Sequence, residues 1–317
     1  MINAIGNILG GGSARISYAK KLAKAYAARV IADGGVVESL GCFTAFAKAL
    51  GAFKPTLLLD FYQNAAAAYS LRKLSTTYTG DAIRVRRASD NTELNIAFVN
   101  NVLDTASLTT FCSGTDGFVK TWYDQSGNDY DATQITAANQ PQIVSSGSVI
   151  LENGKPSINF NVSQMILDVT RFSYSEISSI AVLKCVSTPS SNAHVIAQKD
   201  GFLLKAAQAP NGYPRFQPYD TAYRTSEYQV TSTNTQLLLF GYTSSGTAYI
   251  YVNDNVGTTA SVSTLNNPSN AIHIGSFPGL SDTHNNGPIQ EVIIYPSDQS
   301  TNRTGIESNI NSFYSIY

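Results

Sequence analysis

A mainly β fold, a jelly-roll sandwich behind a small N-terminal helical region, is what this 317-residue sequence predicts. Three observations carry that expectation. From Thr56 onward the chain breaks into short apolar runs divided by Asn, Asp, Gly and Ser. Only 14% of residues are charged, while Ser, Thr, Asn, Gly and Tyr are abundant. Before Lys54 the apolar spacing is helical instead. Many short strands with polar punctuation fit a sandwich or jelly roll.

The N-terminal region comes first. Ile16, Ala19, Leu22, Ala23, Tyr26 and Val30 recur at helical spacing behind Ser13 as cap, and Gly34-Gly35 stop the run. Val36, Leu40, Phe43, Ala47 and Leu50 give a second helix, ended by Lys54-Pro55. Residues 1–54 carry seven Lys/Arg against Asp33 and Glu38, a charge of +5, which leaves −6 on the remainder. This basic pair of helices is read as an anchoring and oligomerisation region, with solvated helix faces as the plainer alternative.

Residues 56–317 form the second expected domain. Its clearest strands are "IRVRRA" (83–88), "FVKTWY" (118–123), "ISSIAVLKC" (177–185), "TQLLLFGY" (235–242), "TAYIYVN" (247–253), "AIHIGS" (271–276) and "IQEVIIYP" (289–296). "YIYVNDNVGTTASV" reads as a hairpin turning at Asn253-Asp254-Asn255. Helices are expected at "NAAAAYSLRKL" (64–74), at "DTASLTTFC" with Asp104 as cap, and at the closing "RTGIESNINSFYSI".

Several classes of function are disfavoured. A net charge of −1 argues against wholesale nucleic-acid binding. Cys42, Cys112 and Cys185 are odd in number and lack zinc spacing, so neither a disulfide framework nor a metal site is expected. In "MINAIGNILGGGSARISYAKK" the apolar run precedes the charges, the wrong order for a secretory signal, and no run reaches membrane-spanning length. Synthesis in a reducing cytoplasm, without membrane insertion, is the expectation. No cofactor is expected either: "GNILGGGS" lacks the Lys-Ser/Thr of a phosphate loop, and there is no GxSxG elbow. His194, His273 and His284 lie far apart, and His273, between Ile272 and Ile274, is expected to face away from its strand's buried side.

Two stretches are candidates for chemistry. In "KTWYDQSGNDYDATQ" (120–134), Asp124, Ser126 and Asn128 alternate as calcium ligands do, but the glycine comes at position four and Ile135 stands where the closing Glu belongs. Asp124, Asp129 and Asp131 could instead serve acid–base chemistry, which needs two carboxylates held across a substrate. The favoured reading makes Trp122, Tyr123, Asp124, Gln125, Ser126, Gly127 and Asn128 a structural turn, because such side chains bond their own backbone. The second stretch, "GYPRFQPYDTAYRTSEY" (212–228), sets Tyr213, Phe216, Tyr219, Tyr223 and Tyr228 among charges. These rings suit sugar contacts and packing alike.

The blocks "AAAAYSLRKLSTTYTGDAIRVRRASDNTE", "FCSGTDGFVKTWYDQSGNDYDATQ" and "IIYPSDQSTNRTGIESNINSFY" resemble the catalytic domain of the arabinofuranosidase B family over roughly residues 56–317. The resemblance implies a concanavalin-like, laminin-G-like sandwich. The blocks also resemble virion proteins of tailed bacteriophages, notably those infecting gut Bacteroidetes, where they follow a helical segment similar to "ARVIADGGVVESL". The family's Asp acid/base falls on Phe277. Its Glu nucleophile belongs in a stretch without Glu between Glu176 and Glu227, leaving Asp200 and Asp220. Its disulfide near the signature would pair Cys112 with a position occupied by Gly117. The resemblance thus implies a kept scaffold without catalytic residues: a virion structural protein, homo-oligomeric and held to other virion proteins through 1–54, with a host glycan as further partner. The alternatives are a divergent glycoside hydrolase recruiting Asp200, Asp220, Asp282 or Glu291, and a stand-alone carbohydrate-binding protein.

Overall fold

The computed structural model describes residues 57–160, 165–167, 172–184, 192–208, 210–229, 235–277, 285 and 287–317. The two basic helices expected within 1–54, together with Cys42, Cys185, Asp282 and His284, lie outside them. Residues 57–317 belong to one compact unit, Thr56–Tyr317.

Its first half holds helix α1 (Leu58–Phe61), strands β1 (Ala67–Ser70), β2 (Ile83–Arg87) and β3 (Glu93–Ile96), helix α2 (Thr105–Phe111), and strands β4 (Gly117–Trp122) and β5 (Gln142–Ser145). The second half continues with β6 (Ser178–Lys184), β7 (Ala193–Gln198), β8 (Phe202–Ala207), β9 (Arg215–Pro218), β10 (Ser226–Glu227), β11 (Gln236–Ser244), β12 (Thr247–Val252), β13 (Asn255–Ser261), β14 (Ile272–Ile274), β15 (Pro288–Tyr295) and helix α3 (Arg303–Tyr314).

Two antiparallel layers result. One runs β1–β15–β6–β11–β12–β13. The other runs β3–β2–β4, then through the short strands Ala132–Thr133 and Met165–Leu167 to β14–β7–β8–β9–β10. Strand β5 pairs with β4 and, through Ile158–Asn159, reaches β15, so the layers share an edge connection.

Strands β1, β15, β6 and β11 of the first layer are buried on both faces, which explains their near-continuous apolar runs. Ala181, Val292 and Leu239 are cross-strand neighbours and join Val85, Trp122, Ile196, Leu204 and Phe216 in the main core. Ile180, Ile293 and Phe240 share the opposite face, under Leu58 and Leu59 of α1 and Ile306, Ile310 and Tyr314 of α3. A strand buried on two sides has no polar face to alternate with.

Most expected elements stand. Asp104 caps α2 by accepting the Ser107 N–H at 3.0 Å. The β12–β13 hairpin turns at Asn253-Asp254, both with positive φ (51° and 65°), the pairing a type I′ turn requires. The helix expected at 64–74 is a correction. Ala67–Ser70 is a strand, with Ala67 opposite Ile294 and Tyr69 opposite Val292. Ala67 and Tyr69 pack in the main core, while Ala68 packs in the other. Alanine's helix propensity is worth tenths of a kcal/mol per residue, and pairing with β15 with burial on both faces overrides it.

Candidate functional site

The stretch after β4 carries the site. Asp124 and Gln125 are almost wholly buried, and their polar atoms reach back more than fifty residues to the β1 region. Asp124 Oδ1 accepts the Ala68 N–H (2.8 Å) and the Ser126 N–H (2.9 Å), while Oδ2 accepts the Ser126 hydroxyl (2.6 Å) and the Tyr130 N–H (3.1 Å). Gln125 donates from Nε2 to the carbonyls of Ser70 (3.0 Å) and Arg72 (3.1 Å) and accepts the Leu74 N–H (2.8 Å). Asn128 Nδ2 donates to the carbonyls of Ala65 and Ala66, both at 3.0 Å. Residues 65–74 leave the sheet pattern soon after β1, so their backbone groups need partners, and these side chains supply them. The expected turn is therefore also a stitch between distant segments. The Asp124 and Ser126 oxygens that alternate along this turn already accept N–H and O–H groups. Among the described residues no three His, Cys, Asp or Glu side chains come together as metal ligands.

One side of this stitch is a cleft of about 680 Å³, whose lining includes Asp60, Gln63, Asn64, Tyr78, Tyr123, Asn128, Asp129 and Asp131. Its carboxylates differ. Burial would raise Asp60, but N–H donors from Leu57 and Thr76 and the hydroxyls of Thr76 and Ser75 outweigh it and hold the carboxyl below the usual range. Burial pushes Asp131 up, the Asp124 N–H opposes it, and the charges of Asp124 and Asp129 add to the rise. Asp131 Oδ1 takes the Asp124 N–H at 2.9 Å, and Asp129 is exposed. The Tyr78 hydroxyl donates to the Asp81 carbonyl (2.8 Å) and the Tyr123 hydroxyl to Asn95 Oδ1 (3.0 Å). The cleft thus offers two fixed phenol rings, amide groups and one carboxyl that burial shifts above the usual carboxylate range. Asp60, Gln63, Asn64 and Tyr78 escaped the sequence reading because they lie far before the signature in the chain and only the fold brings them beside it.

The aromatic segment divides. Phe216 is a correction: it is fully buried in the main core, opposite Leu204 and hard against Gly241, so it is no surface contact. Tyr219 and Tyr223 pack edge-on with centroids 5.0 Å apart, and the Tyr223 hydroxyl accepts the Asp200 N–H at 2.9 Å. Tyr228 packs against the main core, and Tyr213 is half-buried. The five rings therefore do not make one exposed platform.

Two of the four carboxylates named as recruits, those of Glu291 and Asp220, are already engaged; Asp282 lies outside the described residues. Glu291 is fully buried and pairs with Arg72 (2.7 Å), with Ser70 and Tyr314 hydroxyls beside it. Asp220 accepts the Ser263 N–H and hydroxyl, both at 2.9 Å, and the Arg224 Nε–H at 2.8 Å; burial opposes these donors, yet they hold the carboxyl well below the usual range. Asp200 has a left-handed φ of 60°, and its carbonyl accepts Asn266 Nδ2 at 2.7 Å. Phe277 is half-buried with its ring 5.2 Å from that of His194.

Residues 61–155 match the family model of the α-L-arabinofuranosidase B catalytic domain. A solved GH54 α-L-arabinofuranosidase soaked with a cyclic sulfate inhibitor aligns with a TM-score of 0.60 and 16% identity, over 78% of this chain and 62% of that one. An arabinofuranosidase complexed with arabinofuranosyl-α-1,2-xylobiose aligns with a TM-score of 0.58, at the same identity and coverage. The chain thus spans less than two thirds of the length of these structures. No curated protein matches it. The likeness establishes the fold, an arabinofuranosidase-like β-sandwich.

Proposed function

We propose that this chain is a carbohydrate-binding protein, an arabinofuranosidase-like sandwich that holds a glycan in the cleft beside Tyr78 and Tyr123 without cleaving it. One observation carries the reading. The carboxylates of Asp60, Asp124, Asp220 and Glu291 each face several donors or a buried guanidinium, whereas glycoside cleavage needs two carboxyl groups free to exchange protons and bond to sugar. Phenol faces beside amides and hydroxyls suit a sugar ring, which is apolar on its faces and polar at its rim. The test is calorimetric titration of the full chain with arabinan and arabinoxylan oligosaccharides. Binding lost in Tyr123→Ala, with the melting temperature kept, supports the reading. Equal binding by the variant and the parent removes the cleft from it.

A second reading, a divergent glycoside hydrolase, is favoured by Asp131. A carboxyl raised by burial and lining an open cleft has the character of a general acid. Release of nitrophenol from 4-nitrophenyl α-L-arabinofuranoside, abolished by Asp131→Asn, would select it over binding alone.

Attachment to a virion, as a homo-oligomer through residues 1–54, is a separate proposal resting on the charge split and the phage resemblance. Peptides of this chain in purified particles would support it, and their absence would remove it.

A further inference from the structure

The second sheet carries a row of ionisable side chains that the cleft does not use. His194, Lys205, Arg215 and Glu227 are successive cross-strand partners on β7, β8, β9 and β10. Directly paired residues share a face, and Val195, Leu204 and Phe216, which adjoin them along their strands, point into the main core. The row therefore lies on the face away from that core. Even so, Lys205 is only 8% exposed and Gln217 only 7%.

Three features of this row are unfinished. The Lys205 ammonium donates to Gln208 Oε1 at 2.6 Å, and among the described residues it has no carboxylate at ion-pair distance. Arg215 pairs through Nη2 with Glu227 at 2.8 Å, yet its buried Nε–H has no acceptor among the described residues. Gln217, two residues along on the same face, donates from Nε2 to Thr225 Oγ1 at 2.7 Å, while its buried Oε1 has no donor among the described residues. Burial first, and then the Arg215 charge, push the Lys205 ammonium down to about 8. Two cations against one carboxylate leave a buried excess of positive charge, an arrangement that costs free energy unless something neutralises it.

We infer that Lys205, Arg215 and Gln217 form a binding site for a sugar acid, a ligand bearing a carboxylate with a neighbouring hydroxyl. The carboxylate takes the Lys205 ammonium and the Arg215 Nε–H, a charge-assisted pairing. The hydroxyl donates to Gln217 Oε1, which a ligand without a hydroxyl would leave orphaned at a penalty. Neither contact involves the Tyr78–Tyr123 cleft, so the site stands or falls independently of it.

The experiment is calorimetric titration of the full chain with D-glucuronate, D-glucose and inorganic phosphate as separate probes. Saturable one-to-one binding of glucuronate is expected, with none for glucose and at least tenfold weaker binding in Lys205→Met and in Gln217→Glu, which sets a carboxylate against the ligand's own. Should Lys205→Met fail to fold, Gln217→Glu and a glucuronate-induced rise in the parent's melting temperature carry the test. No response to glucuronate, or an unchanged one in Gln217→Glu, overturns the site. Phosphate binding as tightly as glucuronate overturns the sugar-acid assignment in favour of a simple oxyanion pocket.

Discussion

A cysteine placed at Gly117 is expected to close a disulfide with Cys112. A Cβ built on Gly117 would stand 2.7 Å from Cys112 Sγ, and 3.1 and 3.2 Å from Cβ and Cγ2 of Val144. Across a disulfide, each Cβ lies about 3.0 Å from the partner sulfur, as the S–S and C–S bond lengths require. A shift of a few tenths of an ångström therefore turns a clash into a bond. Closing a loop this short removes about 2 kcal/mol of unfolded-state entropy, and replacing a glycine restricts the unfolded chain a little further. Crowding by Val144 offsets part of this. For a domain of this size about 2 kcal/mol raises the melting temperature by roughly 4–8 °C. The parent has three cysteines, so Gly117→Cys under denaturing thiol titration should leave two free thiols of four, and reductant should lower its melting temperature. Gly117→Ala keeps the clash without the bond and should melt below the parent. Four free thiols in the oxidised variant, or equal melting with and without reductant, would refute the geometry.

Further outcomes follow from other contacts. Asp124→Ala orphans the N–H groups of Ala68, Ser126 and Tyr130, and should cost about 3–5 kcal/mol in denaturant unfolding; a loss below about 1 kcal/mol would mean the stitch is dispensable. Arg72→Met strands the buried Glu291 carboxylate, costing about 3–5 kcal/mol, much of it recovered when Glu291→Gln is added; a double variant no better than the single would contradict this. Burial raises Glu307 from 4.5 to about 7 although Arg303 opposes it, so the folded chain holds a proton that the unfolded chain releases. Stability should fall by up to about 3 kcal/mol as pH rises from about 4.5 to 7, and Glu307→Gln should flatten that slope by gaining stability mainly at the alkaline end. A variant effect equal at pH 4.5 and pH 8 would contradict the assignment.

The sandwich was legible where one physical cause dominated. Strands such as β2, β4 and β11 announce themselves through β-branched and aromatic runs bounded by turn residues, and Asp104 marks its helix because a cap acts within three residues. The segment 64–74 was misread because its conformation is set from outside, by β15 on one side and the signature's side chains on the other. The signature itself was half legible. Its residue types announce a turn, but its hydrogen bonds run to residues 65–74, and nothing in local spacing records a partner that distant. Phe216 was misplaced for a related reason. A window of scattered aromatics hides the alternation by which Phe216 faces Leu204 in the core while Arg215 and Gln217 turn away from it.

The pairing of β1 with β15 joins Ala67 to Ile294, nearly the whole unit apart. During synthesis the first strand emerges and must then stay unpaired while more than 220 residues are made, roughly 10–45 s at ordinary ribosomal rates. Contact order this high makes folding slow and leaves a naked strand edge in the interval. Strand β15 also lies between β1 and β6, so a chain ending before Pro288 would lose the strand that joins them and bare two edges at once. Such a fragment should accumulate as aggregate in the producing cell, whatever the soundness of the rest of its sequence.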